Sequence, residues 1–262
     1  MSGLTYGGIM DRQVAEPNTI LRGLVGSTVH GLNVPGKDDR DEMGVCIEPR
    51  EYVIGLKHFE QWIYRTQPEG VKSGPGDLDL SVYSLRKWCR LALAGNPTIL
   101  LLLYIPKDCL SVCLPRGEML RGLAGCFASR RALQAFLGYL TAQKQRLTGE
   151  RGGRHAKPRT ELVEKFGYDT KYAMHMMRLG FQGIEYGTTG KLTLPMREEE
   201  REYCYAVREG KIEYGDLMTR AGELERELKD LCEHSPLPAD PNYDAVNNFL
   251  AASYLERWNG QP

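Results

Sequence analysis

The residues best suited to chemistry in this sequence are three carboxylates in two short segments. Asp39 and Asp41 are separated by one residue, and Asp79 stands in a later segment where polar and apolar residues alternate. Side chains at i and i+2 of a strand point to the same face, so Asp39 and Asp41 can reach one ion. Mg²⁺ takes oxygen ligands from carboxylates and substrate phosphates, and pairs of such ions serve in-line phosphoryl transfer. The spacing therefore predicts a metal site for phosphate chemistry.

A Gly-Ser pair, Gly26 and Ser27, follows a short apolar segment and precedes these aspartates. Such a turn offers unhindered backbone N–H groups, a hydroxyl and a helix N-terminus, which together suit a triphosphate. A lone Gly-Ser pair means little, and a D-x-D in a Gly/Pro-rich loop is usually a solvated turn. The order strand, Gly-Ser turn, D-x-D, strand and third acid is what makes the combination informative.

The elements that must position these residues can be predicted from hydrophobic periodicity. Residues 20–26 and 43–54 are predicted to be paired strands, and 77–83 alternates as a half-buried strand does. Residues 84–95 and 96–106 then change to helical spacing, with Gly95 suited to a C-cap and Pro97 to a first turn. Later segments predict helices and one β-hairpin: helices at 130–147, 169–180, 197–209, 213–233 and 242–258, and the hairpin at 183–195.

These elements predict an α/β (α+β) domain with a small mixed sheet over residues 1–115, followed by a mostly helical domain over residues 116–262. The first would be the catalytic domain and the second would bind substrate or nucleotide.

Taken together, these motifs resemble the DNA polymerase β-like nucleotidyltransferase superfamily, and within it the predicted nucleotidyltransferases associated with RNA ligases and RNA repair. The resemblance covers roughly residues 20–250. It is carried by the stretches "GSTVHGL", "DDRDEMGV", "DLDLSVYSLRKWCRLALAGNPTIL", "LVEKFGYD" and "YDTKYAMHMMRLG". Two departures stand out: Asp38 occupies a position where relatives often have Ser, and Leu101 occupies one that can be acidic.

The resemblance implies a role for each matching residue. Gly26 and Ser27 would hold an NTP such as ATP, Asp39 and Asp41 would bind the metals, and Asp79 would be the third carboxylate, which activates the acceptor hydroxyl. The implied activity is the transfer of an NMP from NTP to a hydroxyl with release of pyrophosphate, dependent on two Mg²⁺ ions, with Mn²⁺ as the alternative. The expected acceptor is an RNA terminus.

A second group of candidate residues lies on a predicted helix in the C-terminal half. Lys171, His175 and Arg178 are spaced i, i+4 and i+7, so they share one helical stripe. A solvated basic face is the ordinary interpretation of such a stripe, and the resemblance favours nucleotide-phosphate binding instead. Lys87 is a further nucleotide-binding candidate, whereas His30 is expected to pack locally.

Residues 144–165 form a basic segment, predicted to be a Gly-rich loop. A flexible basic segment can follow a phosphate backbone, or it can be a plain surface loop without a ligand. No aromatic residues are interleaved for base stacking. The basic residues are Lys144, Arg146, Arg151, Arg154, Lys157, Arg159 and Lys165.

Composition bears on where the protein is found in the cell but does not identify a substrate. Lys plus Arg and Asp plus Glu number 34 each, so global charge does not indicate nucleic-acid binding. The seven scattered cysteines argue against a disulfide framework. The absence of a long apolar run and of a signal-peptide pattern predicts a cytoplasmic protein with no membrane association.

Two alternatives remain open from the sequence. Within the same chemistry, the acceptor would be a small molecule or a protein hydroxyl. In another class, the chain would be a nucleotide- or RNA-binding module without catalysis, although such a module has little need for a third aspartate.

Overall fold

The structure is a computed structural model that describes residues 4–6, 9–33, 39–68, 70–71, 73–150 and 157–260. Its strands are β1 (Leu4–Tyr6), β2 (Thr19–Leu24), β3 (Arg40–Cys46), β4 (Gln61–Arg65), β5 (Leu78–Ser84) and β6 (Leu110–Cys113). They form one open sheet in the order β1-β4-β5-β3-β2-β6. Strands β3 and β5 are parallel, and the other neighbouring pairs are antiparallel.

The other elements of the described residues are mainly helices. They are α1 (Ile9–Ala15), α2 (Gly26–Val29), α3 (Leu85–Leu93), α4 (Pro97–Tyr104), α5 (Pro115–Gly122), α6 (Ala124–Phe127), α7 (Arg130–Leu147), α8 (Thr160–Phe166), α9 (Thr170–Thr189), α10 (Glu198–Arg208), α11 (Tyr214–His234) and α12 (Tyr243–Asn259). An α/β N-terminal region with a small mixed sheet and a helical C-terminal part confirm the predicted fold class. No helix within the described ranges has the length and apolar character needed to cross a membrane.

The chain divides into two compact units. The first comprises Met1–Leu93, Thr98–Phe127 and Asn242–Pro262, and the second comprises Ala94–Pro97 and Ala128–Pro241. The functional division into residues 1–115 and 116–262 is not tested by this partition and stays a prediction.

One face of the sheet carries a hydrophobic core. Leu80 and Val82 of β5 and Trp62 of β4 are buried against Val14 of α1, with Leu78 packed at the edge. The alternation predicted for residues 77–83 is therefore confirmed, and Asp79 stands on the opposite face.

The last helix, α12, belongs to the first unit and is tied to its sheet. The Tyr254 hydroxyl donates to Glu48 Oε1 at 2.9 Å, and Trp258 Nε1 donates to the Glu48 carbonyl at 3.3 Å. Arg257 Nη2 donates to Asn18 Oδ1 at 2.9 Å. Burial raises the pKa of the Glu48 carboxyl. Residues more than 200 positions apart in the chain are thus joined in one unit.

Three sequence-based expectations were wrong in part. The predicted hairpin at 183–195 lies largely within α9, where the glycines of this segment allow close helix packing. A Cβ at Gly183 would approach Leu228 to 3.1 Å, so a larger residue would push α9 away from α11. The strand expected over 43–54 ends at Cys46, and Pro49 starts a 3₁₀ turn instead.

The basic segment 144–165 is a loop only in part: its first residues end the helix predicted over 130–147, and a helix that was not predicted, α8, covers its last residues. Lys144 and Arg146 lie on the last turn of α7, and Lys165 lies on α8. Lys144 pairs with Glu225 at 2.8 Å. Arg151 and Arg154 fall outside the described residues.

Candidate functional site

The three predicted carboxylates meet where the two central strands of the sheet, β3 and β5, begin. The parallel pairing of β3 with β5 sets Asp41 directly beside Asp79. Asp39 immediately precedes β3, and each of the three offers an oxygen within 4.8 Å of the other two. Within the described ranges this is the one group of acidic, histidine or cysteine side chains with metal-ligand spacing. The prediction that these three residues lie together is confirmed geometrically, while their role as ligands stays a prediction.

The Gly-Ser turn packs against one of these acids. Gly26 has a φ of +66°, and a Cβ built on it would lie 2.0 Å from Asp41 Oδ2. Only glycine therefore fits there, for both backbone and steric reasons. The Val25 N–H donates to the Asp41 carbonyl at 2.9 Å, which continues the β2–β3 pairing into the turn. Half-buried Ser27 follows in α2, a single helical turn.

A buried ion-pair cluster fixes β3 from its other face. Glu42 is 4 % exposed and accepts from Arg22 and, at 2.6 Å, from Arg40 Nε. Arg40 and Glu42 are two residues apart, so they share the face opposite Asp41. Arg40 therefore points away from the aspartates.

Asp79 is held by three neighbours that sequence reasoning missed. Arg65, opposite Asp79 on β4, donates from Nε to Oδ1 at 3.0 Å and from Nη2 to Oδ2 at 2.8 Å. Gln67 Nε2 donates to Oδ1 at 3.1 Å, and Ser73 Oγ donates to Oδ2 at 3.0 Å. The alternation of Trp62 and Tyr64 in "QWIYR" was the available signal for the strand that carries Arg65.

A pocket opens beside the aspartates. Its volume is about 580 Å³, and its lining includes Gly26, Asp41, Arg65, Asp79, Tyr83 and Thr98. One wall is thus acidic and the remainder mostly apolar and aromatic, which is typical of sites for small organic ligands.

Lys87 is placed on α3, and its ammonium pairs with Glu60 Oε2 at 2.7 Å. This hydrogen bond lowers the pKa of Glu60. Lys87 does not line the pocket at the aspartates. His30 is 2 % exposed, consistent with the local packing expected for it.

The predicted basic stripe is a real feature of α9 in the second unit. Asp169 caps this helix, accepting from the N–H groups of Lys171 and Tyr172 at 3.0 and 3.1 Å. Arg159 pairs with the same carboxylate at 2.9 Å. Asp169 thus holds the first turn of α9 and links it to Arg159.

Two side chains of the basic stripe, His175 and Arg178, have lowered pKa values. Burial lowers the pKa of His175 to about 3, with further lowering by Arg178, Lys171, Arg208 and Arg159. Burial also lowers the pKa of Arg178 to about 10, which leaves it charged near neutral pH. Arg178 Nη1 donates to Gln182 Oε1 at 3.0 Å. Arg208 of α10 is thus a further cation of this cluster that the sequence did not reveal.

Two predicted details cannot be placed. Asp38, next to the D-x-D, lies outside the described residues, as do residues 151–156 of the basic segment.

Comparison with known proteins gives one family match. A model of the RNA repair pathway DNA polymerase beta family, RlaP, matches residues 10–252. No curated protein matches the chain significantly. The match spans both the aspartate site and the basic stripe.

Proposed function

The chain belongs to the RNA repair pathway DNA polymerase beta family, and on that premise we propose that it is a metal-dependent nucleotidyltransferase acting on RNA termini. It would transfer an NMP from an NTP to a hydroxyl and release pyrophosphate. The observation that carries the proposal is the convergence of Asp39, Asp41 and Asp79, with oxygens within 4.8 Å of one another, beside a Gly-Ser turn that closes on Asp41.

The donor set fits a hard divalent cation. Three carboxylates supply only oxygen ligands, which suits Mg²⁺ or Mn²⁺ and not a thiophilic ion. Asp39, Asp41 and Asp79 would hold two such ions. When bound, these ions neutralise phosphate charge and lower the pKa of the attacking hydroxyl.

The remaining roles fall to this chain's own groups. The backbone N–H groups and hydroxyl at Gly26 and Ser27 bind triphosphate oxygens. Asp79 accepts the proton of the acceptor hydroxyl, whose oxygen forms a bond to the α-phosphorus. The bond from that phosphorus to the bridging oxygen of the β-phosphate breaks, and pyrophosphate leaves with the electron pair. Positioning and electrostatics account for most of the catalysis in such transfers.

The α9 stripe is proposed to bind phosphates of the nucleotide. Lys171 and Arg178 supply positive charge, and a planar guanidinium binds phosphate in a bidentate manner. His175 stays neutral near pH 7 because its pKa is lowered to about 3, so it hydrogen-bonds without titrating. Lys87 contributes only if it exchanges its partner Glu60 for the nucleotide.

The experiment is incubation with each labelled NTP, Mg²⁺ and a panel of RNAs with defined ends. Small-molecule and protein hydroxyls are included as acceptors, and Asp41→Asn is the inactive control. Transfer to an RNA end with stoichiometric pyrophosphate supports the proposal. Transfer only to another acceptor replaces the RNA assignment. If neither transfer, pyrophosphate release nor NTP binding appears, the proposal is wrong.

A non-catalytic nucleotide- or RNA-binding module is the second candidate. The observation in its favour is that Arg65, Gln67 and Ser73 already engage both oxygens of Asp79. Such a module would bind NTP or RNA without turnover, and Asp79→Asn would leave that binding intact.

A further inference from the structure

The carboxylate of Asp79 has no remaining capacity for a further ligand. An ionised carboxylate offers about four lone-pair positions. Arg65 Nε and Gln67 Nε2 occupy Oδ1 at 3.0 and 3.1 Å. Arg65 Nη2 and Ser73 Oγ occupy Oδ2 at 2.8 and 3.0 Å. A cation that binds Asp79 must therefore displace at least one of these donors.

The donors are built into the fold. Arg65 is the register partner of Asp79 across β4 and β5, and Gln67 is 5 % exposed. The segment carrying Ser73 is closed by Asp77, which accepts from the Gly74 N–H at 2.9 Å and from Thr66 Oγ1 at 2.9 Å.

We propose that Arg65, with Gln67 and Ser73, forms a latch that competes with the metal ion for Asp79. The inference rests on the proposed function, since it concerns the third ligand of that site. Arg65 is a positioning residue: in one state its guanidinium holds Asp79, and in the other the ion does. Its side chain is 39 % exposed, against 18 % for Asp79, so the guanidinium can swing into the pocket beside it without breaking the core.

The test is a titration of the full chain with Mn²⁺ in the absence of nucleotide. Binding is measured as the loss of the free-ion signal in electron paramagnetic resonance. Arg65→Gln should tighten Mn²⁺ binding about tenfold, the size of one charge-assisted hydrogen bond. The gain should vanish in the Arg65→Gln/Asp79→Asn double variant. Arg40→Gln is the charge-matched control, because Arg40 lies between two aspartates in sequence but pairs with Glu42 behind the strand.

Arg40→Gln should change the affinity by about twofold or less, since its 58 % exposed side chain is screened. Equal tightening in both variants would reduce the effect to general charge and overturn the latch. If Arg65→Gln fails to fold, Ser73→Ala removes one neutral donor and should tighten binding about threefold.

Unchanged or weaker Mn²⁺ binding in these variants, with clear binding in the parent, refutes the latch alone. Absence of Mn²⁺ binding in the parent and in every variant refutes both the latch and the metal site on which the proposed function depends.

Discussion

The aspartate group of the sheet and the basic stripe of α9 each bring side chains of like charge together, but they balance that charge differently. At the sheet, three acids converge. Asp79 forms an ion pair with Arg65 of the neighbouring strand and accepts a hydrogen bond from Ser73. On α9, burial and then the neighbouring cations lower the pKa of His175 to about 3, so that this histidine is neutral. The acidic residue Asp79 is thus balanced by donors from its neighbours, whereas His175, buried among cations, stays neutral.

Replacing Asp41 with Asn should have the largest effect. It removes one charge at the centre of the acidic group while preserving size, so transfer should fall about a thousandfold, or ~4 kcal/mol of transition-state stabilisation. Initial rates of pyrophosphate release measure this. The control is Asp108→Asn, an exposed acid of the same unit outside the pocket. Full activity in the Asp41 variant would show that Asp41 is not part of a metal site required for transfer.

Gly26→Ala should have the next largest effect, because it disturbs the same aspartate by a steric route. The new Cβ would lie 2.0 Å from Asp41 Oδ2 at a φ of +66°. We expect about 1–3 kcal/mol lower unfolding free energy in urea and about a hundredfold loss of transfer.

The matched control for this change is Gly222→Ala in α11, where a Cβ has open space. That variant should gain up to about 1 kcal/mol from helix propensity. Equal stability in the Gly26 variant and the parent would mean that the turn relaxes freely around Asp41.

The stripe is expected to act on binding more than on rate. Arg178→Ala should raise KM for NTP about tenfold and change kcat by about twofold or less, since a bidentate phosphate contact is lost in the ground and transition states alike. Arg226→Ala, at an exposed position of α11, is the control. Unchanged kinetics would return the stripe to an ordinary half-buried helical face.

The smallest effect is the pH response of His175. The unfolded pKa of about 6.5 is lowered to about 3 in the folded state, so its contribution to stability is complete above about pH 6.5. That contribution is lost as pH falls towards the folded value. The stability difference between the parent and His175→Gln should therefore shrink from pH 7 to pH 5, measured by urea unfolding.

His58→Gln is the control, because its side chain is 81 % exposed. In the parent, the His175 imidazole resonances should stay constant between about pH 5 and pH 8. A titration of His175 within that range would contradict the burial of its side chain among cations.

The local patterns were sufficient to predict the acid site. Asp39 and Asp41 are two residues apart, and Asp79 lies on a strand whose alternation fixes its face, so one parallel pairing joins them. The donors around Asp79 were not predictable in this way, because β4 is five residues long and its pairing with β5 is a tertiary event.

The wrong hairpin has a different cause. Gly180, Gly183 and Gly187 weaken a helix by local propensity, yet a Cβ added at each would lie 2.8–3.1 Å from a leucine of a neighbouring helix in the second unit. Close packing outweighs the propensity cost of about 1 kcal/mol per glycine, and no local pattern reveals that.

The attachment of α12 sets an order of events during synthesis of the chain. The second unit is nearly contiguous, over Ala128–Pro241, whereas the first also requires Asn242 onward. The contacts of Glu48 with Tyr254 and Trp258 join residues more than 200 positions apart. Closing so long a loop costs conformational entropy, so these contacts are expected to form slowly. On the ribosome, the second unit is therefore expected to fold before the first unit, which is completed only after α12 has been synthesised.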